Sequence, residues 1–292
     1  MTNQKYLVKE KSSVKLKKLK TKEINGYKNK DEIKIALQQN TEELREMQQV
    51  LYASNSHSVL LIFQGMDAGG KDSTIKHVMS GINPQGCRVH SFKHPSSVEL
   101  HHSFLWRHQK ALPRRGMIGI FNRSHYENVL ISKVHPELVL NERIPKITST
   151  KDLTKKFWEE RYEQIRRFEK TTAESGTLIL KFFLNISKDE QKNRFMERLN
   201  NPQKHWKFDK SDIEERKHWD DYRKAYELAI EKTSTDSAPW YIIPADNKWY
   251  ARLTVGKIIQ EKINDLKLKM PTISKEHIEL MEKVKKMLTS EK

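Results

Sequence analysis

Short apolar runs alternate along the chain with longer stretches of helical period. The clearest run is residues 59–63, aliphatic, β-branched and aromatic between polar neighbours. That is the pattern of a strand buried on both faces. Residues 116–121 (GMIGIF) and 177–186 (TLILKFFLNI) read the same way. Residues 87–93 alternate around Val89 and Phe92, and 241–243 predict a short further strand. Between these lie helical patterns. Residues 31–53 place Ile33, Leu37, Leu44, Met47 and Leu51 near a period of 3.6. Further helices are predicted over 72–80, over 98–112 up to Pro113, and over 150–171, where Trp158, Tyr162, Ile165 and Phe168 form one stripe. Ser187-x-x-Glu190 and Ser211-x-x-Glu214 are capping-box patterns that open two more, the second running through Tyr222 and Tyr226. Asn247 onward reads as helical, and Ser274 caps a final amphipathic helix. Strands alternating with helices predict an α/β fold with a parallel sheet.

The chain has 292 residues, 36% hydrophobic and 32% charged, with a net charge of +17. The hydrophobic share supports a core. The charge predicts either a polyanionic partner (nucleic acid, acidic lipid or a phosphate polymer) or simply a soluble, lysine-rich surface. The single cysteine, Cys87, excludes an internal disulfide and a thiolate zinc site. No apolar run approaches the roughly 20 residues of a membrane span. The lysine-rich start has no apolar segment of a secretory signal, so a cytoplasmic location is expected. Residues 1–30 read as a basic arm, either mobile or folded back on the body, 31–270 as the main domain and 271–292 as a C-terminal helix.

The first candidate chemistry follows the 59–63 strand. Gly65-x-x-x-x-Gly70-Lys71 sits between a strand and a helix, the context that gives the P-loop pattern its meaning. Gly65, Ala68, Gly69, Gly70, Lys71, Asp72 and Ser73 form a candidate phosphate cradle of inward N–H groups, helix terminus and ammonium. The alternative is a glycine-rich strand-to-helix turn without a ligand. Asp72 takes the place of the usual hydroxyl ligand of Mg²⁺, and Ser73 is one place too late for it. Asp67 would face phosphates, which calls for a cation between them.

The 116–121 strand runs into Asn122-Arg123-Ser124-His125-Tyr126-Glu127, at the strand end where ligands bind in open parallel sheets. Asn122 stands where hydrolytic P-loop proteins usually carry Asp; its other reading is a turn former. Arg123 is a candidate phosphate clamp, because its planar fork matches two phosphate oxygens. Candidate carboxylates for Mg²⁺ are Asp67, Asp72 and Glu127. Arg194 and Arg198 are four apart, on one helix face, and with Lys204, Lys207 and Lys210 they suggest a mobile basic lid over about 190–215. A solvated charged face is the alternative. His101 and His102 would point about 100° apart on a helix and make a poor metal pair. Trp206, Trp219, Trp240 and Trp249 read as core residues rather than base-stacking platforms.

The segments GMDAGGKDSTIKHVMSG, NPQGCRVHSFKHPS, FLWR, GIFNRSHYENVLISKVHPE, NPQKHWKF and PADNKWYARL, in this order, resemble the polyphosphate kinase type 2 family. The resemblance runs from about residue 31 to 266. It implies a three-layer α/β/α P-loop kinase fold with a helical lid, similar to thymidylate kinase. It implies phosphoryl transfer between inorganic polyphosphate and a nucleotide, with Mg²⁺ as cofactor. Asp67 and Lys71 match the family's essential loop acid and lysine, and Asn122 and Arg123 its strand-end pair. Glu127 completes the expected catalytic set, and Asp67 and Glu127 are the expected metal carboxylates. Lys76, Lys93, Arg194, Arg198 and Lys207 are the expected polyphosphate contacts. The Asn-Arg-Ser-His-Tyr-Glu sequence resembles the third class, which takes AMP to ADP and ADP to ATP. Expected partners are polyphosphate, AMP, ADP, ATP and guanine nucleotides, in a homo-oligomer away from membranes. His101, Ser103, Gly69 and Ser73 depart from the family pattern, which often has acids at the first two, alanine at the third and glycine at the fourth. An ATP-dependent nucleotide kinase on this fold is the nearest rival. A nucleic-acid-binding protein would use the charge but leaves the glycine loop and FNRSHYE unexplained. A non-catalytic polyphosphate binder has no need of an intact Lys71 and Asp67.

Overall fold

A computed structural model describes residues 4–291. It contains one six-stranded sheet. In chain order the strands are β1 (Leu7–Val8), β2 (Ser58–Gln64), β3 (Cys87–Ser91), β4 (Ile118–Asn122), β5 (Thr177–Asn185) and β6 (Trp240–Pro244). Their spatial order is β1-β6-β5-β2-β4-β3. β2 to β6 run parallel, as the alternation of elements requires, and every residue of β2 is buried. Helices cover both faces. Lys30–Ser54 packs along Lys248–Asp265, where Gly256 allows an approach so close that a Cβ would lie 2.0 Å from Asn40 Oδ1. Lys155–Glu174 packs against β5 and Trp219–Thr233.

Register places the site. Phe63, near the end of β2, pairs with Asn122 of β4 on one side and Phe182 of β5 on the other. The glycine loop after β2 and the polar cluster after β4 therefore leave the sheet side by side, at its carboxyl edge.

The structure corrects several expectations. Of the two readings of the basic arm, the described residues show the packed one. Leu7 and Val8 add an antiparallel edge strand opposite Tyr241 and Trp240. Tyr6, Val8, Val14 and Leu16 are buried, and the Leu16 N–H donates to Glu227 Oε1 at 2.7 Å. Those few apolar side chains outweigh the surrounding lysines. The helix expected over 98–112 is two short ones, Ser97–Leu100 and Trp106–Lys110. Ser103 interrupts it, accepting from the Trp106 N–H at its carbonyl and from the Leu105 N–H at its hydroxyl. Ser211 does not cap its helix. Asp209 does, opening Lys210–Glu215, and a 3₁₀ turn separates that from Trp219–Thr233. Ser187 does cap Lys188–Asn200, but its own N–H goes to Asp246. The Glu190 side chain is thereby released for Arg194. Trp219 and Trp240 are buried, as expected, whereas Trp206 is 78% exposed.

Candidate active site

The glycine loop curls because three residues let it. The Gly69 N–H donates to Met66 O at 2.9 Å, in a turn so tight that a Cβ on Gly69 would lie 2.6 Å from that oxygen. Gly70 adopts φ +94° at the start of helix Lys71–Val78, a conformation that glycine takes without penalty. Ala68 has φ +57°. Gly65 passes within 3.1 Å of Leu184 O at its notional Cβ, so its place is set by contact with β5. The Lys71 side chain folds back over the loop, donating to Gly65 O at 2.7 Å and Met66 O at 3.4 Å. Burial, and then the Arg123 charge, pull its pKa below the usual lysine value. Asp67, Glu127 and Asp72 favour that charge, and an anion held at the loop would favour it further.

Arg123 sits at φ +61°, with its N–H on Phe63 O, and pairs with Asp67 across the loop at 3.1 Å. Burial opposes its charge, but Glu127 and Asp67 outweigh that and raise its pKa. Asn122 donates to Asp72 Oδ1 at 2.5 Å, and Gln191 donates to Asp67 O at 2.9 Å. Arg194 is almost fully buried. It donates to Glu190 Oε1 (2.6 Å), Ala68 O (3.0 Å) and Ala245 O (2.5 Å). It clamps the glycine loop to the segment after β6 rather than reaching out as a lid cation. Arg198 is tied to Asp212 at 2.8 Å and to Lys207 O at 3.2 Å. Burial and Asp67 raise the Asp212 pKa, against the pull of Arg198.

A buried polar network lies directly beneath. Lys181, inside β5, is inaccessible to solvent and donates to Glu169 Oε2 (2.6 Å), Tyr126 Oη (2.8 Å) and Thr233 O (2.8 Å). Glu169 also accepts from Tyr126 (2.8 Å) and pairs with His125 (3.2 Å). Ser124 Oγ accepts from Gln64 and from the Tyr126 N–H. The turn carrying Arg123 thus rests on an ion pair in the core. The sequence reading missed this network; the lysine in the middle of TLILKFFLNI was its one signal.

A cleft of about 760 Å³ opens at this edge. It brings together Asp67, Ala68, Gly69, Gly70, Lys71, Asp72, Ser73, Lys93, Asn122, Arg123, Arg194, Arg198 and Lys207. Lys204, expected in the lid, lines it too, and Lys248, which shares Glu197 with Lys204, adds a cation that the sequence does not single out. Three expected residues are not in its lining. Lys76 is exposed on helix Lys71–Val78, five positions and so about 140° around from Lys71. Gly65 lies behind the loop. Glu127 is half-buried outside the lining, close enough to act on the charges of Lys71 and Arg123. The Ser73 hydroxyl is spent on Gly70 O at 3.0 Å. Among the described residues, no three His, Cys, Asp or Glu side chains form a group that could hold a metal ion.

A parallel sheet with a glycine loop, lysine and arginine at its carboxyl edge defines a P-loop α/β phosphotransferase scaffold. The sequence model of the family Polyphosphate kinase 2 (PPK2) matches residues 27–271, and the chain belongs to that family. It is 50% identical over 266 residues to the ADP-polyphosphate phosphotransferase of Rhodopseudomonas palustris, covering 91% of each chain. It is 47% identical over 228 residues to the AMP/ADP-polyphosphate phosphotransferase of Meiothermus ruber, covering 78% of this chain and 80% of that one. The crystal structure of Polyphosphate Kinase 2 from Arthrobacter aurescens TC1 superposes with a TM-score of 0.82 at 40% identity, covering 90% and 89% of the two chains.

Proposed function

We propose that this protein transfers a phosphoryl group from inorganic polyphosphate to nucleoside diphosphates and monophosphates. One observation carries the reading. The loop with Lys71 and Arg123 opens onto the same cleft as Lys93, Arg198, Lys204, Lys207 and Lys248, so that cations outnumber the carboxylates Asp67, Asp72, Glu197, Asp209 and Asp212 in its lining. A polymer with a charge on every phosphate would use that excess.

In this reading the loop amides and Lys71 hold the phosphates that exchange the group, and Arg123 takes up charge on the group in flight. Asp67 fixes Arg123 in place. Transition states of this kind are loose, so positioning and electrostatics do the catalytic work. The acceptor oxygen is already anionic and needs no strong base. Mg²⁺ suits the donor set. It is held through one or two carboxylates with the substrate's phosphates and keeps several waters. Asp67 fits that role at the cleft, with Asp72 in the same lining and Glu127 acting on Arg123 from outside it. When bound, the ion neutralises charge between donor and acceptor. Helix Lys188–Asn200, the Pro202–Lys207 turn and helix Lys210–Glu215 form the lid. The working enzyme would be a cytoplasmic homo-oligomer accepting adenine and guanine nucleotides. Among the described residues, no helix is long and apolar enough to cross a membrane.

The test exchanges the donor. With ADP and Mg²⁺, long-chain polyphosphate should support ATP formation. Activity should fall as the phosphate chain shortens, and added salt should raise the KM for long chains. Lys207→Glu should raise the KM for long chains at low salt and make its salt dependence shallower, because one cation fewer takes part. Equal turnover with ATP as donor, without a salt response, would favour the ordinary nucleotide kinase.

Acceptor choice has its own test. One relative is named for ADP alone and another for AMP and ADP. Asn122 is neutral and holds Asp72 through its amide. Asn122→Asp places two carboxylates at that contact and removes the donor, a change of roughly 1–3 kcal/mol in a partly desolvated site. The ratio of kcat/KM for ADP to that for AMP should shift about tenfold. If both fall together, Asn122 does not select the acceptor.

A further inference from the structure

The indoles of this protein are nearly all committed. Trp158, Trp219 and Trp240 are buried. Trp106 stacks on His102 with ring centroids 3.9 Å apart, and Trp249 packs under Lys30, Lys34 and Arg252. Trp206 is the exception. It is the most exposed large apolar side chain among the described residues, and it lines the cleft. The turn that presents it is not slack. Asn201 caps it through the Gln203 N–H, the His205 ring bonds to Leu199 O at 2.9 Å, and Lys204 pairs with Glu197. Lys207 Nζ lies 4.9 Å from the ring centroid, over one face. The exposure leaves the other face available.

The chemistry of the substrates decides what that face is for. Polyphosphate has no apolar surface at all, so an exposed indole offers it nothing that the neighbouring lysines do not. A nucleotide has one flat, weakly hydrated part, its base. Of the other aromatic rings in the cleft, Phe92 is buried against Phe121 and His108, and the exposed His94 offers only a small imidazole whose Nδ1 is bonded to Pro95 O. We infer that Trp206 is the stacking platform for the base of the acceptor nucleotide, carried on the lid, so that the lid engages the acceptor as well as the donor. Every base has a π-face, so stacking of this kind tolerates both adenine and guanine. This inference rests on the proposed nucleotide-acceptor reading and assigns its base subsite.

The experiment compares ligands with and without a base. Binding of ADP, GDP and inorganic pyrophosphate is measured by calorimetry on the wild type, Trp206→Phe and Trp206→Ala. KM values for ADP and polyphosphate are measured alongside. Trp206→Ala should weaken ADP and GDP about tenfold, leave pyrophosphate and the polyphosphate KM unchanged, and be partly rescued in Trp206→Phe. Because the side chain is exposed, the variants should keep the wild-type Tm. Unchanged ADP binding, or equal weakening of ADP and pyrophosphate, overturns the assignment. Absence of polyphosphate-dependent turnover in the wild type would instead remove the proposed function, and the base-dependent difference in binding would still be read separately.

Discussion

Lys71→Ala is expected to lower kcat by about 10- to 100-fold while leaving the protein folded. A charged hydrogen bond is worth roughly 1.5–3 kcal/mol, and each 1.4 kcal/mol is about a factor of ten. The ammonium contributes little to the fold, because its partners in the protein are two loop carbonyls at the cleft that water can satisfy in the variant. Its charge is disfavoured by burial and by Arg123, so it gains most when a multiply charged phosphate arrives. The loss should therefore fall on turnover and phosphate affinity, with Tm close to wild type. Asp67→Asn should lose a similar factor, since it frees Arg123 from a 3.1 Å partner. Steady-state rates beside thermal melts check both, and near-full activity in either variant would take the glycine loop out of the reaction.

Lys181→Met is expected to do the reverse, with a large loss of stability. Removing one partner of a buried ion pair leaves the other charge uncompensated, at a cost of about 3–5 kcal/mol. For a chain of this size that is a fall in Tm of about 10 °C. The pH dependence gives a second check. In the wild type, burial opposes the Glu169 charge, but Lys181 and His125 outweigh it and hold its pKa below the usual value. That stabilisation is present above the ordinary carboxylate pKa and is lost only as pH falls through the lowered one. Without Lys181 the burial remains, so the Glu169 pKa rises, and the variant folds best with Glu169 protonated. The deficit against wild type should therefore be smaller at pH 5 than at pH 7. A deficit independent of pH, or below about 1 kcal/mol, would mean that Glu169 is not charged in the core. The double variant with Glu169→Gln should recover part of the loss.

Most of the sheet was legible because β2, β4, β5 and β6 are largely apolar runs, and the loop after β2 because its glycine spacing and lysine mark a strand-to-helix turn without help from the rest of the chain. The residues that support the site were harder. Arg194 reads in sequence as one more basic lid residue. Its role depends on Ala68 and Ala245 meeting it from distant segments, which no local spacing reveals. The pairing of Lys181 with Glu169 depends on which face of Lys155–Glu174 meets β5. Trp206 was misread for a related reason. Composition makes tryptophan a core residue by default, and only the three-dimensional path of the 201–209 turn leaves it in the cleft. The packed arm was hidden by its lysines, among which Leu7, Val8, Val14 and Leu16 are too sparse to form a period.

The two-residue strand β1 has a consequence for how the molecule behaves outside catalysis. It occupies the free edge of β6, whose residues are all buried. An uncovered edge of that kind offers unpaired N–H and C=O groups to any other extended chain, which is the route to edge-to-edge aggregation. The lysines at positions 5, 9, 11, 15, 17 and 18 flank the covering strand with like charge, so the same short segment closes the sheet and repels a second copy. Removing the first fifteen or so residues, of which the described ones line no part of the cleft, would leave the chemistry in place and strip the sheet of its gatekeeper.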